Sequence, residues 1–242
     1  MEWYEAIEVI RPYVFHISTQ NGTGTGWLVS LSKSTNLCAV ATAGHVLAYA
    51  HYWELPIRIS HTESGQSLLL RATDRAINLD PNQDTAALTF GKADLGLPTD
   101  VLPILDADSY LKPGVEIGWI GFPAIPDSGL CFFSGRISSY VQNYQRYLVD
   151  GVAINGVSGG PAFSCVSGAA QVMGVVSAYM ANRVTGEALP GVAVVQGVRQ
   201  FHDIAGRFKS IDEARSQQSP PTQGPGEQSP GRPPQDTETR GI

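Results

Sequence analysis

Gly156-Val157-Ser158-Gly159-Gly160-Pro161 sets a serine hydroxyl in a turn crowded with glycine. Glycines there let the backbone come close to a substrate carbonyl while pointing N–H groups at it. A serine hydroxyl is a poor nucleophile at neutral pH, so it needs an imidazole to take its proton and a carboxylate to hold that imidazole in the useful tautomer. Thr42-Ala43-Gly44-His45-Val46 places His45 just behind the apolar run Cys38-Ala39-Val40-Ala41-Thr42, and Asp84-Thr85-Ala86-Ala87-Leu88 puts a carboxylate at the head of another. Ser158 as nucleophile, His45 as base and Asp84 as orienting acid form one candidate catalytic set, with the N–H groups of Gly156 and Ser158 as its oxyanion hole. Asp74 and Asp80 compete for the acid's role, but Asp80 precedes Pro81 and reads as turn chemistry.

Outward from these motifs, short β-branched and aromatic runs recur with Gly, Pro, Asn and Ser between them. Val14 to Ser18, Gly26 to Leu31, Cys38 to Ala43 and Ala86 to Phe90 lie in the first half; Glu116 to Gly121, Gly129 to Ser138, Val172 to Ala178 and Gly191 to Val194 lie in the second. That spacing predicts an all-β sandwich or barrel rather than alternating strands and helices. Helix signals are confined to His45 to Ala50 and to Val195 through Ala214. The latter carries Val198, Phe201, Ile204, Ala205 and Phe208 at helical spacing, a face expected to pack on the second half of the chain.

The order of the three groups is diagnostic. His, Asp, Ser is the chymotrypsin order, whereas subtilisins run Asp, His, Ser and α/β-hydrolases run Ser, acid, His. Gly156-Val157-Ser158-Gly159-Gly160 also fits the nucleophile elbow of α/β-hydrolases, but His202 is the only His downstream of Ser158 and Glu187 the only acid between them. Gly24-Thr25-Gly26-Trp27-Leu28-Val29 resembles the early Gly-Ser/Thr-Gly-aromatic strand of trypsin-like serine proteases, and Asp150-Gly151-Val152-Ala153-Ile154-Asn155 resembles the run leading to their nucleophile. Over residues 15 to 205 the chain resembles a trypsin-like serine protease, closest in pattern to the peptidase domains of bacterial high-temperature-requirement proteases. The resemblance implies two six-stranded Greek-key β-barrels with the active site in the cleft between them, and a C-terminal helix. The first barrel is expected at about 12–97, the second at about 112–196 and the helix at about 196–214, closing a peptidase domain of residues 1–214. It also implies a serine endopeptidase working through an acyl-enzyme, with a protein or peptide as substrate. The alternative is a latent or inactive protease-like binding module that needs an activating protein partner.

The resemblance carries further to single positions. The base of the primary pocket, six residues before the nucleophile, falls on Val152, and Gly191 resembles a pocket-wall glycine. An apolar base implies cleavage after small or medium apolar residues. Ser177 stands where the family places a Ser beside the catalytic acid, and Ser177, Ala178 and Tyr179 are expected to offer backbone to an extended substrate by strand addition. Animal trypsins carry an Asp just before the nucleophile to pair with a freed N-terminus; Val157 rules that ion pair out here. The oxyanion loop is then either competent without processing or ordered by a partner. The chain also lacks the proline of the high-temperature-requirement pattern Ile-Asn-Pro-Gly between Asn155 and Gly156.

The rest of the composition narrows the field. At 242 residues and 43% hydrophobic content the chain can bury one sizeable core. A net charge of −6 offers no clustered cations to a phosphate backbone, which argues against nucleic-acid binding. Residues 215–242, rich in Pro, Gln and Ser, cannot bury enough apolar surface to offset their ordering entropy and are expected to be a disordered tail. They leave no room for a PDZ-like domain. The start Met1-Glu2-Trp3-Tyr4-Glu5 lacks a basic segment followed by an apolar run, and no stretch approaches the roughly 20 apolar residues of a membrane helix, so a cytoplasmic chain without membrane partners is expected. Cys38, Cys131 and Cys165 are expected to be reduced and buried. His16, His51, His61 and His202 fall in no catalytic or metal motif, and Gly22-Thr23-Gly24-Thr25-Gly26 runs into strand-forming Trp27-Leu28-Val29 rather than a phosphate-cradling helix. Neither metal nor cofactor is implied.

Overall fold

Turn residues between β-branched runs break the chain into antiparallel strands, and these pair into two sheets joined by a crossover. The computed structural model describes residues 1–165, 168–181 and 188–218, without the side chains of 178–181, 188–190 and 218. The first sheet contains β1 (Val14–Thr19), β2 (Gly22–Leu31), β3 (Leu37–Ala43), β4 (Ile57–His61), β5 (Ser67–Leu70), β6 (Arg75–Asp80) and β7 (Thr85–Gly91), in the order β5-β4-β1-β2-β3-β7-β6. The second contains β8 (Glu116–Gly121), β9 (Cys131–Val141), β10 (Arg146–Asp150), β11 (Pro161–Ser164), β12 (Gln171–Ala181) and β13 (Ala188–Gly197), closed into a barrel in the order β10-β13-β12-β11-β8-β9. In the crossover, Leu105 N–H and the Val172 carbonyl (2.8 Å), with Val172 N–H and the Pro103 carbonyl (2.9 Å), tie the chain to β12.

The second half is therefore the six-stranded barrel that the resemblance implies, while the first is a seven-stranded half-barrel rather than a closed one. It stays open at the seam between β5 and β6. Arg75 opens β6 after a short 3-10 turn (Ala72–Asp74), and its guanidinium donates to the carbonyls of Leu70 (2.7 Å), Leu55 (2.6 Å) and Ala50 (3.0 Å). Of these only Leu70 lies in a strand, so one side chain ties the end of β5, the helix Gly44–Tyr52 and the loop after it to the start of β6 where no strand ladder joins β5 to β6.

Three α-helices occur among the described residues, and two of them differ from the expectation. α1 (Trp3–Ile10) was not anticipated by periodicity. It is held at its start by Glu5 Oε2 accepting the Glu2 N–H (2.9 Å), and it buries Ala6 and Ile10. Trp3 meets Phe132 and Phe163 at ring-centroid distances of 5.4 and 5.7 Å, so α1 covers the second barrel. α2 (Gly44–Tyr52) follows β3 directly. α3 (Arg199–Gln218) packs on the first sheet, not on the second barrel: Phe201 meets Trp27 edge-on at 5.9 Å, and Val29 and Leu31 line one cleft with Ala205 and Phe208. The reason lies in β2, where Trp27, Leu28 and Val29 are all buried; a strand apolar on both faces needs a cover on each. α3 also continues through 215–218, residues assigned above to the tail, because no proline occurs before Pro220 and the i→i−4 ladder can run on, with Ser216 Oγ donating to the Asp212 carbonyl (2.9 Å). The remainder of that segment, 219–242, lies outside the described residues.

All three cysteines are free thiols, but only Cys38 is buried; Cys131 and Cys165 are half-buried at strand ends. Burial pushes the Cys38 thiol up to about 12. No helix among the described residues is long and apolar enough to cross a membrane.

Candidate active site

The β3–β7 ladder brings His45 to Asp84. Ala43 pairs with Thr85, so the residues just past the end of β3 and just before the start of β7 must meet. Gly44 permits the approach, since a Cβ there would stand 3.0–3.1 Å from the Asp84 and Thr85 backbone and the Asp84 carboxylate. His45 N–H donates to Asp84 Oδ1 at 2.7 Å, and His45 Nδ1 lies 2.8 Å from Oδ2 and 3.1 Å from Oδ1. Ser177 Oγ adds a third donor, to Oδ2 at 2.5 Å. Asp84 itself takes a left-handed conformation (φ 49°), which Asp tolerates better than most side chains and which aims its carboxylate back over α2.

Burial raises the Asp84 carboxyl, but the side-chain hydrogen bonds from His45 and Ser177, the charge of His45 and its backbone N–H outweigh that and hold it below the ordinary carboxylate range. An ionised carboxylate only accepts, so Nδ1 of a neutral His45 carries the proton and Nε2 is left as the free base. The competing acids stay local: Asp80 Oδ1 caps the N–H groups of Asn82 (2.9 Å) and Gln83 (3.2 Å), and Asp74 Oδ2 caps Arg71 N–H (3.0 Å).

Ser158 lies in the turn between β10 and β11, and that turn is pressed into the seam between the sheets. Its carbonyl accepts Thr25 N–H (2.8 Å) and stands 3.2 Å from where a Cβ on Gly24 would lie, beside the Val46 side chain. Gly159, at φ 89°, packs against the Thr25 carbonyl, Thr42 Oγ1 and Ala43 N so closely that any side chain would collide. Ser158 Oγ donates to the Ser177 carbonyl at 3.1 Å. Ser177 thus touches the acid through its hydroxyl and the candidate nucleophile through its carbonyl.

The turn's own polar groups are nearly all engaged. Val157 N–H donates to Ile154 (3.1 Å), Gly159 N–H to Val176 (2.6 Å) and Gly160 N–H to Val157 (2.9 Å). Carbonyls of Asn155 and Gly156 accept Ala124 N–H (2.6 Å) and Thr25 Oγ1 (2.8 Å). Gly156 and Ser158 N–H are left without a partner among the described residues. Gly156 reaches its φ of 90° against the Phe122 carbonyl, where a Cβ would clash.

Around this centre, Gly151 N–H donates to the Gly191 carbonyl (2.9 Å), which sets Val152 beside Gly191; Val152 is 52% exposed. β11 pairs with β12 only as far as Val175, so the backbone of Ala178 and Tyr179, paired with β13 on one side after a bulge at Ser177, has no strand on the other among the described residues. The side chains of Ala178 and Tyr179, and residues 182–187, lie outside the described residues. The other histidines serve elsewhere: His61 is buried between the Pro12 carbonyl (2.7 Å) and Ser64 Oγ (2.9 Å), and His202 faces the Leu105 carbonyl (2.8 Å). Among the described residues no group of three or more His, Cys, Asp or Glu could hold a metal ion. Thr25 entered the sequence reading only as part of the strand Gly24-Thr25-Gly26-Trp27-Leu28-Val29; its bonds to the Ser158 turn were not anticipated.

A closed antiparallel barrel facing a half-barrel, with the candidate residues at their seam, is the chymotrypsin-like fold of serine peptidases. Residues 24–175 match the trypsin-like peptidase domain, and the chain belongs to that family of serine endopeptidase hydrolases. No curated protein matches the sequence. Among solved structures, the serine endoprotease of Yersinia pestis is similar at a TM-score of 0.62 and 17% identity, covering 86% of this chain and 66% of its own. Rv3671c of M. tuberculosis H37Rv, in the inactive form of a serine-to-alanine mutant, is similar at 0.57 and 19%, covering 91% of this chain and 93% of its own. The Rv3671c protease in another inactive form gives 0.57 and 19%, with 85% and 92% covered.

Proposed function

We propose that the protein hydrolyses peptide bonds through Ser158, His45 and Asp84. The observation that carries this is one connected chain of contacts: His45 Nδ1 to Asp84, Ser177 Oγ to Asp84, and Ser158 Oγ to the Ser177 carbonyl, beside two N–H groups without a partner among the described residues. In the reaction, the Ser158 hydroxyl turns from the Ser177 carbonyl to His45 Nε2 and attacks the scissile carbonyl as its proton passes to the imidazole. Asp84 stabilises the imidazolium, and the N–H groups of Gly156 and Ser158 receive the oxyanion. His45 then gives the proton to the leaving amine, and water repeats the sequence on the acyl-enzyme to release the acid and restore Ser158. The unpaired edge at 177–179 offers backbone to an extended substrate. Val152 beside Gly191 supplies no counter-charge, which supports cleavage after small or medium apolar residues.

The latent, partner-dependent module is the second reading, favoured by the resting Ser158 hydroxyl donating to a carbonyl rather than to the imidazole. A fluorophosphonate probe separates the two. Labelling of the wild type and not of Ser158→Ala is expected. An unlabelled wild type would turn the assignment to the latent module, and a peptide panel preferring Arg or Lys at the cleaved position would overturn the specificity.

A further inference from the structure

Thr25 is fully buried in β2 at the seam between the sheets, and every polar atom it has is used. Its N–H donates to the Ser158 carbonyl (2.8 Å), and its own carbonyl accepts from Thr42 Oγ1 (2.6 Å). Its hydroxyl donates to the Gly156 carbonyl (2.8 Å) while accepting the Phe122 N–H (2.9 Å). A trans peptide unit is rigid and planar, so a bond to its carbonyl fixes the N–H on the opposite side. Thr25 thereby fixes the unit joining 156 to 157 and the unit joining 158 to 159, on either side of the unit that carries the Ser158 N–H. Through Phe122 it also holds the segment whose Ala124 N–H grips the Asn155 carbonyl, and that grip turns the Gly156 N–H the other way. Both unpartnered N–H groups are aimed by bonds that converge on this one residue, and the hydroxyl supplies those to Gly156 and Phe122. Val157, buried and uncharged, offers the turn no ion pair in its place.

We propose that Thr25 is the positioning residue of the oxyanion-binding turn and keeps it in competent geometry in the resting protein, so that activity needs neither a freed N-terminus nor a partner. The proposal rests on the peptidase reading above. Thr25→Val keeps the shape and the backbone bonds but leaves the Gly156 carbonyl and the Phe122 N–H without the hydroxyl; Thr25→Ser keeps it.

Steady-state kinetics and a peptide aldehyde that forms a tetrahedral adduct read the effect. Thr25→Val is expected to lower kcat by about 100-fold with KM little changed, as misplaced catalytic groups do, and to weaken the aldehyde in parallel, while Thr25→Ser stays close to wild type. In the Ser158→Ala background, where no chemistry occurs, amide hydrogen exchange at 157, 159 and 160 is expected to quicken in Thr25→Val and not in Thr25→Ser. If Thr25→Val does not fold, Thr25→Cys, with a thiol that donates only weakly, must show the same selective fall in kcat. Unchanged kcat and exchange, a loss confined to KM, or equal damage in Thr25→Ser would overturn the proposal. A wild type without Ser158-dependent hydrolysis would overturn both the peptidase reading and the independence from a partner, and the exchange measurement would then judge the positioning by Thr25 alone.

Discussion

Asp84 shows how a single side chain is committed by its donors. Its two oxygens take His45 N–H, His45 Nδ1 and Ser177 Oγ, a set that an amide cannot reproduce because one of its ends donates. Asp84→Asn should therefore leave the imidazole in the wrong tautomer and lower kcat by ~10⁴, with substrate affinity nearly unchanged. Retention of kcat within tenfold would show that another group orients His45. The motifs around His45, Asp84 and Ser158 were legible in the sequence because each is a short stretch whose neighbours suit the role proposed for it. Thr25 was not: its hydroxyl works on Gly156 and Phe122, far along the chain, and nothing adjacent to it announces those partners.

Among the elements, α3 is joined to the first sheet by more than its apolar face. Asp212 accepts Lys33 N–H (2.9 Å), Ser34 N–H (3.0 Å) and the hydroxyls of Ser32 and Ser34 (2.6 Å each), and so caps the turn between β2 and β3. The backbone N–H of Lys33, then the hydroxyls of Ser32 and Ser34, hold its carboxyl well below the usual carboxylate range. The folded protein thus binds this proton less readily than the unfolded chain. The contribution to stability is complete above the unfolded value of about 4 and is lost as pH falls from there through the folded one. Asp212→Asn should accordingly lower the urea midpoint at pH 7 and show a smaller loss of stability on acidification below about pH 4 than the wild type. Parallel acid profiles would show that the capping bonds contribute nothing. Helical periodicity in 198–208 located α3, but periodicity states only that a face is apolar, not which sheet it meets. α1 escaped notice because eight residues give the pattern little room and Trp, Tyr, Ile and Val are middling helix formers. Its place is set by Trp3 on Phe132 and Phe163.

The whole molecule is laced across its two halves: α1 at the N-terminus covers the second barrel, the next strand opens the first sheet, and Thr25 bonds both sheets at once. Trp27 and Trp119, each fully buried, report on the first and second sheets separately. Urea unfolding followed by fluorescence in two variants, one keeping only Trp27 and one keeping only Trp119 with the other three tryptophans changed to Phe, each compared with far-UV circular dichroism of the same variant, should give coincident single transitions. Separated transitions would show two units folding independently. The sequence by itself determined the all-β class, the trypsin-like order of the motifs holding His45, Asp84 and Ser158, and the uncharged Val157 before Ser158, since all of these reside in local patterns and their order. Only the tertiary structure decided that the first sheet stays open, that α3 and α1 cover opposite halves, and that Thr25 bonds the carbonyls of Gly156 and Ser158. Each of those depends on which distant carbonyl or apolar face is left unsatisfied once the strands have paired, and that is settled by packing rather than by neighbours in the chain.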